Sequence, residues 1–330
     1  MRIVFMGTPD FAVPALEALL PQHDVVLVVT KPDKPAGRKK KMTSPPVKTI
    51  AEAAGIEVIQ PNSARTPEFL DAIVQANAEV GVVVAYGKIL PAAVLEAFPL
   101  GCLNIHGSLL PKYRGAAPIQ RAVMNGDAET GVSIMLLDEG MDTGPVLMTK
   151  RIPISDKDSA GSIFDSLAPL GASTLLQALA GLSAGTLTAV PQDGAQATHA
   201  AMLQKRDGLV DWSLAAQVIA ARIRGLDPWP GAFTPYGEGN LKLFGAIVAE
   251  GGGAPGSILS YDKSGLILAC GEGAICVSEV QAPGKKRMSA YSFANGRRLE
   301  AGQSFSPQGL SPQGFSPQGL SPLGPSGGGN

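Results

Sequence analysis

The sequence predicts an α/β protein in which a doubly wound parallel sheet precedes a smaller β-rich domain. Three observations carry this. Apolar runs at 2–6, 25–29, 80–85 and 102–105 read as short strands buried on both faces. Segments with helical spacing separate them, and strands alternating with helices build parallel sheets. Beyond Leu209, short β-rich runs follow one another between Gly and Pro turn signals, as in a small barrel or sandwich.

The elements follow in order. The run 2–6 (RIVFM) ends at Gly7, and Asp10 to Leu20 carries Phe11, Leu16, Leu19 and Leu20 at helical spacing. The run 25–29 (VVLVV) comes next. A helix opens at Ser44-Pro45, an N-cap followed by proline at the first helical position, and another spans Thr66 to Asn77. The runs 80–85 (VGVVVA) and 102–105 (CLNI) are further strands, and 132–137 (VSIMLL) with 145–149 extend the sheet. Residues 163–182 form a closing helix. A Gly/Ala/Thr/Pro-rich stretch then reads as a linker, followed by a helix over Ser213 to Arg224 and strands at 241–248, 256–260, 265–269 and 274–280. Residues 305–324 repeat Ser-Pro-Gln-Gly plus an apolar residue, a low-complexity pattern expected to be disordered. The expected layout is a sheet domain over 1–182, a linker over 183–204, a β-barrel domain over 205–305 and a tail over 306–330.

Composition narrows the function classes. At 330 residues, 45% hydrophobic and 17% charged, the chain is long enough for two folded domains and too apolar to be disordered. A net charge of −1 announces no nucleic-acid partner, so any such partner must be met by local patches. Cys102, Cys270 and Cys276 form no CxxC pair, which argues against a disulfide framework or a zinc site and suits a reducing compartment. No metal is expected. Arg2 leads directly into Ile3-Val4-Phe5 with no leader pattern, and no apolar run has spanning length, so the cytoplasm is expected and a membrane partner is not. The first β–α turn, Gly7-Thr8-Pro9-Asp10, has one glycine where a dinucleotide fingerprint needs three, which disfavours a dehydrogenase.

The chemistry concentrates in residues 104–118. If 102–105 is a strand, Asn104 and His106 share a side-chain parity at its carboxyl end, the edge where open parallel sheets bind ligands. The loop Asp138-Glu139-Gly140-Met141-Asp142-Thr143-Gly144 could bring a carboxylate beside the imidazole. Taken singly, each residue has a plainer explanation: a structural His, a turn-capping Asn, a solvated acidic loop. Together they supply a proton acceptor, an amide donor and an orienting carboxylate.

The runs NIHGSLLPKYRGAAPIQRAV, GDAETGVSIM and DEGMDTG resemble the signature of the folate-dependent formyltransferase superfamily. Within it the pattern is most similar to the methionyl-tRNA formyltransferase family. The likeness runs from MRIVFMGTPDFAVPALEAL and KPDKPAGRKKKM to RIRGLDPWPGAF and VQAPGKKRMSA, and the repeat beyond about residue 305 departs from it. The resemblance implies a Rossmann-like domain followed by a β-barrel of the oligonucleotide-binding type. It implies transfer of the formyl group of 10-formyltetrahydrofolate to the α-amine of initiator methionyl-tRNA, with Asn104, His106 and Asp142 as the catalytic trio. Ser108, Leu109, Leu110 and Pro111 fall on the family's folate-contacting loop. Asn104 could donate to the formyl oxygen. His106 could donate to it when protonated, or instead act as the base toward the attacking amine, with Asp142 orienting the ring; both roles stay open.

The segment 31–41 carries six cations against one acid and follows strand 25–29, so it projects from the same sheet edge. The resemblance assigns it to the acceptor arm of the tRNA, with Arg38 as the matching arginine and Lys39, Lys40 and Lys41 beside it. In the C-terminal part, only Lys285-Lys286-Arg287 is a concentrated basic cluster. A monomer is expected. Two other readings are a formyltransferase for a small amine, such as glycinamide ribonucleotide or a sugar nucleotide, and a non-catalytic RNA-binding relative.

Overall fold

A computed structural model of the chain describes residues 1–36 and 41–305. The expected disordered tail (306–330) and the arm residues Arg38, Lys39 and Lys40 lie outside the described residues. Two compact units are present: residues 1–208 with 220–231, and residues 209–219 with those from 232 onward.

In the first unit, the apolar runs are strands β1 (Arg2–Gly7) and β2 (Asp24–Val29), joined through α1 (Val13–Leu19). A short antiparallel ribbon follows, β3 (Lys34–Ala36) with β4 (Lys41–Thr43). Next come α2 (Pro46–Ala53), β5 (Val58–Ile59), α3 (Pro67–Gln75), β6 (Val80–Val84), α4 (Ala92–Glu96) and β7 (Cys102–His106). The unit continues with β8 (Arg114–Gly115), α5 (Pro118–Met124), β9 (Glu129–Leu136), β10 (Val146–Pro153), α6 (Ala160–Ser183) and β11 (His199–Ala200).

The main sheet is seven-stranded, in the order β10-β9-β7-β6-β1-β2-β5. From β5 to β7 all neighbours are parallel, while β9 and β10 run antiparallel. The doubly wound reading therefore holds; of the two extending strands β9 reverses against β7, and β10, antiparallel to β9, runs again in the direction of the parallel strands. Strand order turns about β1, so the carboxyl ends of β1 and β6 form the crevice where chain crossovers diverge to opposite faces. One core packs Ile3, Phe5, Leu103, Ile105, Leu16 and Leu167; the other packs Val4, Met6, Phe69, Tyr86, Val94 and Cys102. Two-sided burial is why the interior positions of these strands are largely apolar.

Local chemistry sets several boundaries. The helix expected to open at Ser44-Pro45 starts one residue later, with Pro45 as N-cap and Pro46 inside the first turn. Ser44 does not cap it, because its hydroxyl donates to Asp33 at 3.2 Å. Thr66 caps α3 by accepting from Phe69 N–H. The closing helix α6 has a Ser159/Ser162 capping box and buries Ile163, Leu167, Leu175 and Leu179. Among the described residues it alone has the length and hydropathy of a membrane span, and half of that window is buried in the protein. The stretch expected as a linker is fastened down: β11 pairs with β8, and the main chains of Val146 and Val190 exchange hydrogen bonds.

Helix α7 (Ala216–Gly225) begins in the second unit and ends in the first. The second unit is an antiparallel sheet of β12 (Ala232–Tyr236), β13 (Gly239–Ala249), β14 (Ile258–Asp262), β15 (Gly265–Ala269) and β16 (Ala274–Gln281), ordered β12-β13-β16-β15-β14. Strand β17 (Met288–Ser289) pairs with β16, and α8 (Ala290–Arg297) packs on β15 and β16. Buried Thr234 joins its parts, accepting from Trp212 Nε1 at 3.2 Å and donating to the Phe305 carbonyl at 2.8 Å.

Candidate active site

Strand β7 is buried along its whole length. Leu103 and Ile105 enter one core and Cys102 the other, so by alternation Asn104 and His106 share the face of Cys102. Both are nearly enclosed, with 8% and 6% exposure. The side-chain amide of Asn104 makes no hydrogen bond among the described residues, so its N–H groups remain available to a ligand.

The imidazole is committed on one side only. His106 Nε2 lies 2.9 Å from the Tyr113 carbonyl oxygen. A carbonyl only accepts, so Nε2 carries the proton. Nδ1 faces Asp142 Oδ2 at 3.6 Å, longer than a hydrogen bond and within ion-pair range. A neutral ring thus has its lone pair on Nδ1, and a cationic ring faces an oxygen from each nitrogen.

Asp142 reaches this position because the β9–β10 connection doubles back. Leaving β9, Leu137 N–H donates to the Cys102 carbonyl at 2.8 Å, at the start of β7. Farther along the connection, the Asp142 carboxylate stands 3.6 Å from His106, at the opposite end of β7. The reversal needs its glycines: a Cβ on Gly144 would lie 1.9 Å from the Leu136 carbonyl oxygen. Asp142 itself has φ +54°. Its Oδ2 accepts from Gly115 N–H at 2.8 Å, and its carbonyl accepts from Gln192 Nε2 at 2.9 Å. Gln192 also donates to the Gly144 carbonyl at 2.7 Å and accepts from Arg114 at 2.8 and 3.1 Å.

The loop 107–115 wraps this edge. Ser108 is fully buried and its hydroxyl donates to the Lys112 carbonyl at 2.6 Å, so it stabilises the turn. Leu109, Leu110 and Pro111 are half-buried. Ser133, opposite His106 in register, donates to the Ser108 carbonyl at 2.8 Å and accepts from Leu110 N–H at 3.1 Å. Tyr113 is buried, its hydroxyl donating to Asp127 at 2.8 Å and accepting from Asn125 at 2.9 Å. Burial pushes this phenol up to about 12, so it stays a donor at neutral pH. Among the described residues no group of His, Cys, Asp and Glu has the make-up of a metal site.

The geometry brings Asn104, His106 and Asp142 together, with the 108–111 loop tied to the same strand pair. Lys41 is exposed on β4. Within the second unit, Lys285 and Lys286 are exposed, whereas Arg287 donates to Glu279 at 2.6 Å and lies 4.0 Å from the Phe244 ring centroid. Lys285, Lys286, Arg287 and Arg297 line a groove of about 380 Å³ there. Sequence reasoning missed Ser133, Tyr113, Gly115 and Gln192. Gly115 carried a signal, since glycine in a loop is the residue that adopts φ > 0 without steric cost; its φ is +117°. Gln192, in a Pro/Gly-rich stretch, carried none.

The formyl transferase family model matches residues 1–179, and the formyl transferase C-terminal domain model matches residues 202–298. The methionyl-tRNA formyltransferase of Desulfotalea psychrophila is 52% identical over 91% of this chain and 94% of that protein. The protein of the same name from Geobacter metallireducens is 48% identical over 92% and 97%. Among solved structures, the N-formyltransferase of Helicobacter canadensis, in complex with folinic acid and dTDP-3-aminofucose, superposes with a TM-score of 0.64 at 17% identity, covering 85% of this chain and all of that one. HypX of Aquifex aeolicus, solved with tetrahydrofolic acid, matches with a TM-score of 0.59 at 17% identity over 89% of this chain, which spans only 47% of HypX. At such identities the solved structures establish the fold alone. The two family models and the close, nearly full-length relatives show that the chain belongs to the formyl transferase family, among the methionyl-tRNA formyltransferases.

Proposed function

We propose that this protein transfers the formyl group of 10-formyltetrahydrofolate to the α-amine of initiator methionyl-tRNA, giving N-formylmethionyl-tRNA for translation initiation. The observation that carries the mechanism is the convergence of three groups with unspent capacity: the free amide of Asn104, Nδ1 of His106, and the Asp142 carboxylate 3.6 Å from it. The amine nitrogen attacks the formyl carbon, forming a C–N bond and placing negative charge on the formyl oxygen, which the Asn104 amide receives. Because Nε2–H is spent on the Tyr113 carbonyl, the proton chemistry of His106 falls to Nδ1. Nδ1 takes a proton from the attacking nitrogen, and Asp142 and the Tyr113 carbonyl stabilise the imidazolium. The bond from the formyl carbon to N10 of the donor then breaks, N10 receives that proton, and tetrahydrofolate leaves.

In this reading residues 1–182 are the catalytic domain, 183–204 the linker and 205–305 the tRNA-binding domain. The 108–111 loop contacts folate, with the Ser108 hydroxyl turned inward. Arg38, Lys39, Lys40, Lys41, Lys285, Lys286 and Arg287 meet RNA phosphates. The chain acts in the cytoplasm as a monomer. The test is formyl transfer by purified protein offered methionyl-tRNA, glycinamide ribonucleotide or a sugar nucleotide with the same donor. Turnover of methionyl-tRNA alone supports the proposal; preference for a small amine overturns it.

A further inference from the structure

The carboxyl edge of the sheet holds a second set of cations that neither the trio nor the arm tip accounts for. Lys31 follows β2, Lys34 opens β3, and Lys88 follows β6. Strand order places β6 between β1 and β7, with Val83 in register with Asn104. These lysines therefore occupy the stretch of edge between the root of the basic ribbon and the end of β7. Lys31 bends over that edge. Gly87 (φ +70°) makes room for it, since a Cβ there would lie 2.4 Å from Lys31 Nζ. Lys88, the next residue, reaches the Pro61 carbonyl and lies 5.8 Å from the Tyr86 ring centroid.

Among the described residues no carboxylate forms an ion pair with them. Asp33, the single acid of the 31–41 segment, is bound by Lys48 at 3.0 Å, Gln60 at 2.7 Å and Ser44 at 3.2 Å. Gln60 also donates to the Lys31 carbonyl at 2.8 Å, which holds the segment in place without neutralising its ammonium groups. Among the described residues neither Lys31 nor Lys88 has an ion-pair partner. Burial holds both amines below the usual lysine range; repulsion from Lys34 lowers Lys31 further, and repulsion from Lys31 and Lys34 lowers Lys88. Half-buried, mutually repelling cations are unfavourable in the free protein and are relieved by an anion bound among them.

We propose that Lys31, Lys34 and Lys88 form a cradle for a backbone phosphate of the aminoacylated 3′ strand, holding it between the ribbon and the Asn104–His106 edge. This rests on the proposed use of methionyl-tRNA. The ribbon's continuity with Lys34 favours RNA over the donor's carboxylate tail, and makes these positioning residues rather than catalytic ones.

The test uses the full chain carrying K31Q/K88Q, assayed with methionyl-tRNA and formyl donor across a salt series. KM for methionyl-tRNA should rise about tenfold, as when one charge-assisted hydrogen bond is removed. The log–log salt slope of kcat/KM should flatten by about 0.7, one single-strand phosphate. KM for the donor should stay unchanged, and K31R/K88R should restore the salt slope. Unaltered tRNA KM and slope in the folded double variant overturn the cradle. So does a rise in donor KM alone, which assigns the lysines to the folate tail. If the double variant does not fold, K34Q on the exposed strand gives the same readouts with a smaller change, and no change there overturns the cradle. A wild-type protein that fails to formylate methionyl-tRNA sinks the underlying function instead, so the two failures are distinguishable.

Discussion

Two segments at the same sheet edge are built in opposite ways. The loop 107–115 and the Asp142 connection are stitched inward: Ser133 donates to the Ser108 carbonyl, Ser108 to the Lys112 carbonyl and Tyr113 N–H to Thr198, while Gly115 and Gln192 donate to Asp142. The basic segment 31–43 is anchored at its base, where Asp33, Lys48 and Gln60 form a small network, and it presents Lys34 and Lys41 outward. The contrast follows from the tasks proposed for them. Formyl transfer needs donors fixed within fractions of an ångström, so hydrogen bonds are invested in geometry. Capture of a polyanion works through counterion release, which depends on the number of charges more than on their placement.

The largest test of that contrast is His106→Ala, expected to lower kcat by a factor on the order of 10² or more while tRNA KM changes little. Near-normal turnover would remove His106 from the chemistry. Replacing Arg38, Lys39, Lys40 and Lys41 with alanine should act the other way, reducing kcat/KM for methionyl-tRNA with donor affinity intact. Its salt slope should flatten by about 0.7–0.9 for each RNA phosphate that the arm no longer neutralises. An unchanged slope would make the arm a solvated surface and erase the comparison.

A subtler probe is Gln192→Ala, which cuts the hydrogen bonds to the Asp142 and Gly144 carbonyls but touches no side chain of the trio. Poorer alignment should lower kcat about tenfold with KM values nearly constant, whereas a drop only in melting temperature would show Gln192 to be scaffolding. Smallest of all is the pH response of the arm's base. Hydrogen bonds from Gln60 first, then Lys48, hold the Asp33 carboxyl below its ordinary 3.8. A depressed folded-state value adds stability that is present above 3.8 and lost as pH falls through the folded value. Melting curves of Asp33→Asn should therefore differ from wild type near neutrality and converge with it in acid; a constant gap would show that the network is not charge-dependent.

Legibility followed the number of residues that repeat a signal. Strands β1, β2, β6 and β7 were plain because burial on both faces leaves few polar positions. The parity of Asn104 and His106 on β7 was readable from strand geometry alone. Strand β5, only Val58 and Ile59, is too short to show a period, and the β3–β4 ribbon hides behind Pro35 and its lysines. Helices α4 and α5 are of five and seven residues, below the length at which periodicity speaks. The motif named Asp142, but its placement beside His106 depends on contacts with Gly115 and Gln192, far away in the chain. No local pattern encodes such a closure.

The Tyr113 carbonyl has a genetic consequence as well as a chemical one. It fixes which nitrogen of His106 holds the proton, and it belongs to the main chain. Because that oxygen belongs to the backbone, Tyr113→Phe keeps the bond while losing the hydroxyl's bonds to Asp127 and Asn125. The opposite face of the ring depends on one codon, since among the described residues only the Asp142 side chain puts an oxygen beside Nδ1. Mutational drift therefore threatens the two faces of the imidazole unequally: one is insured by the path of the backbone, and the other is exposed to every substitution at a single site.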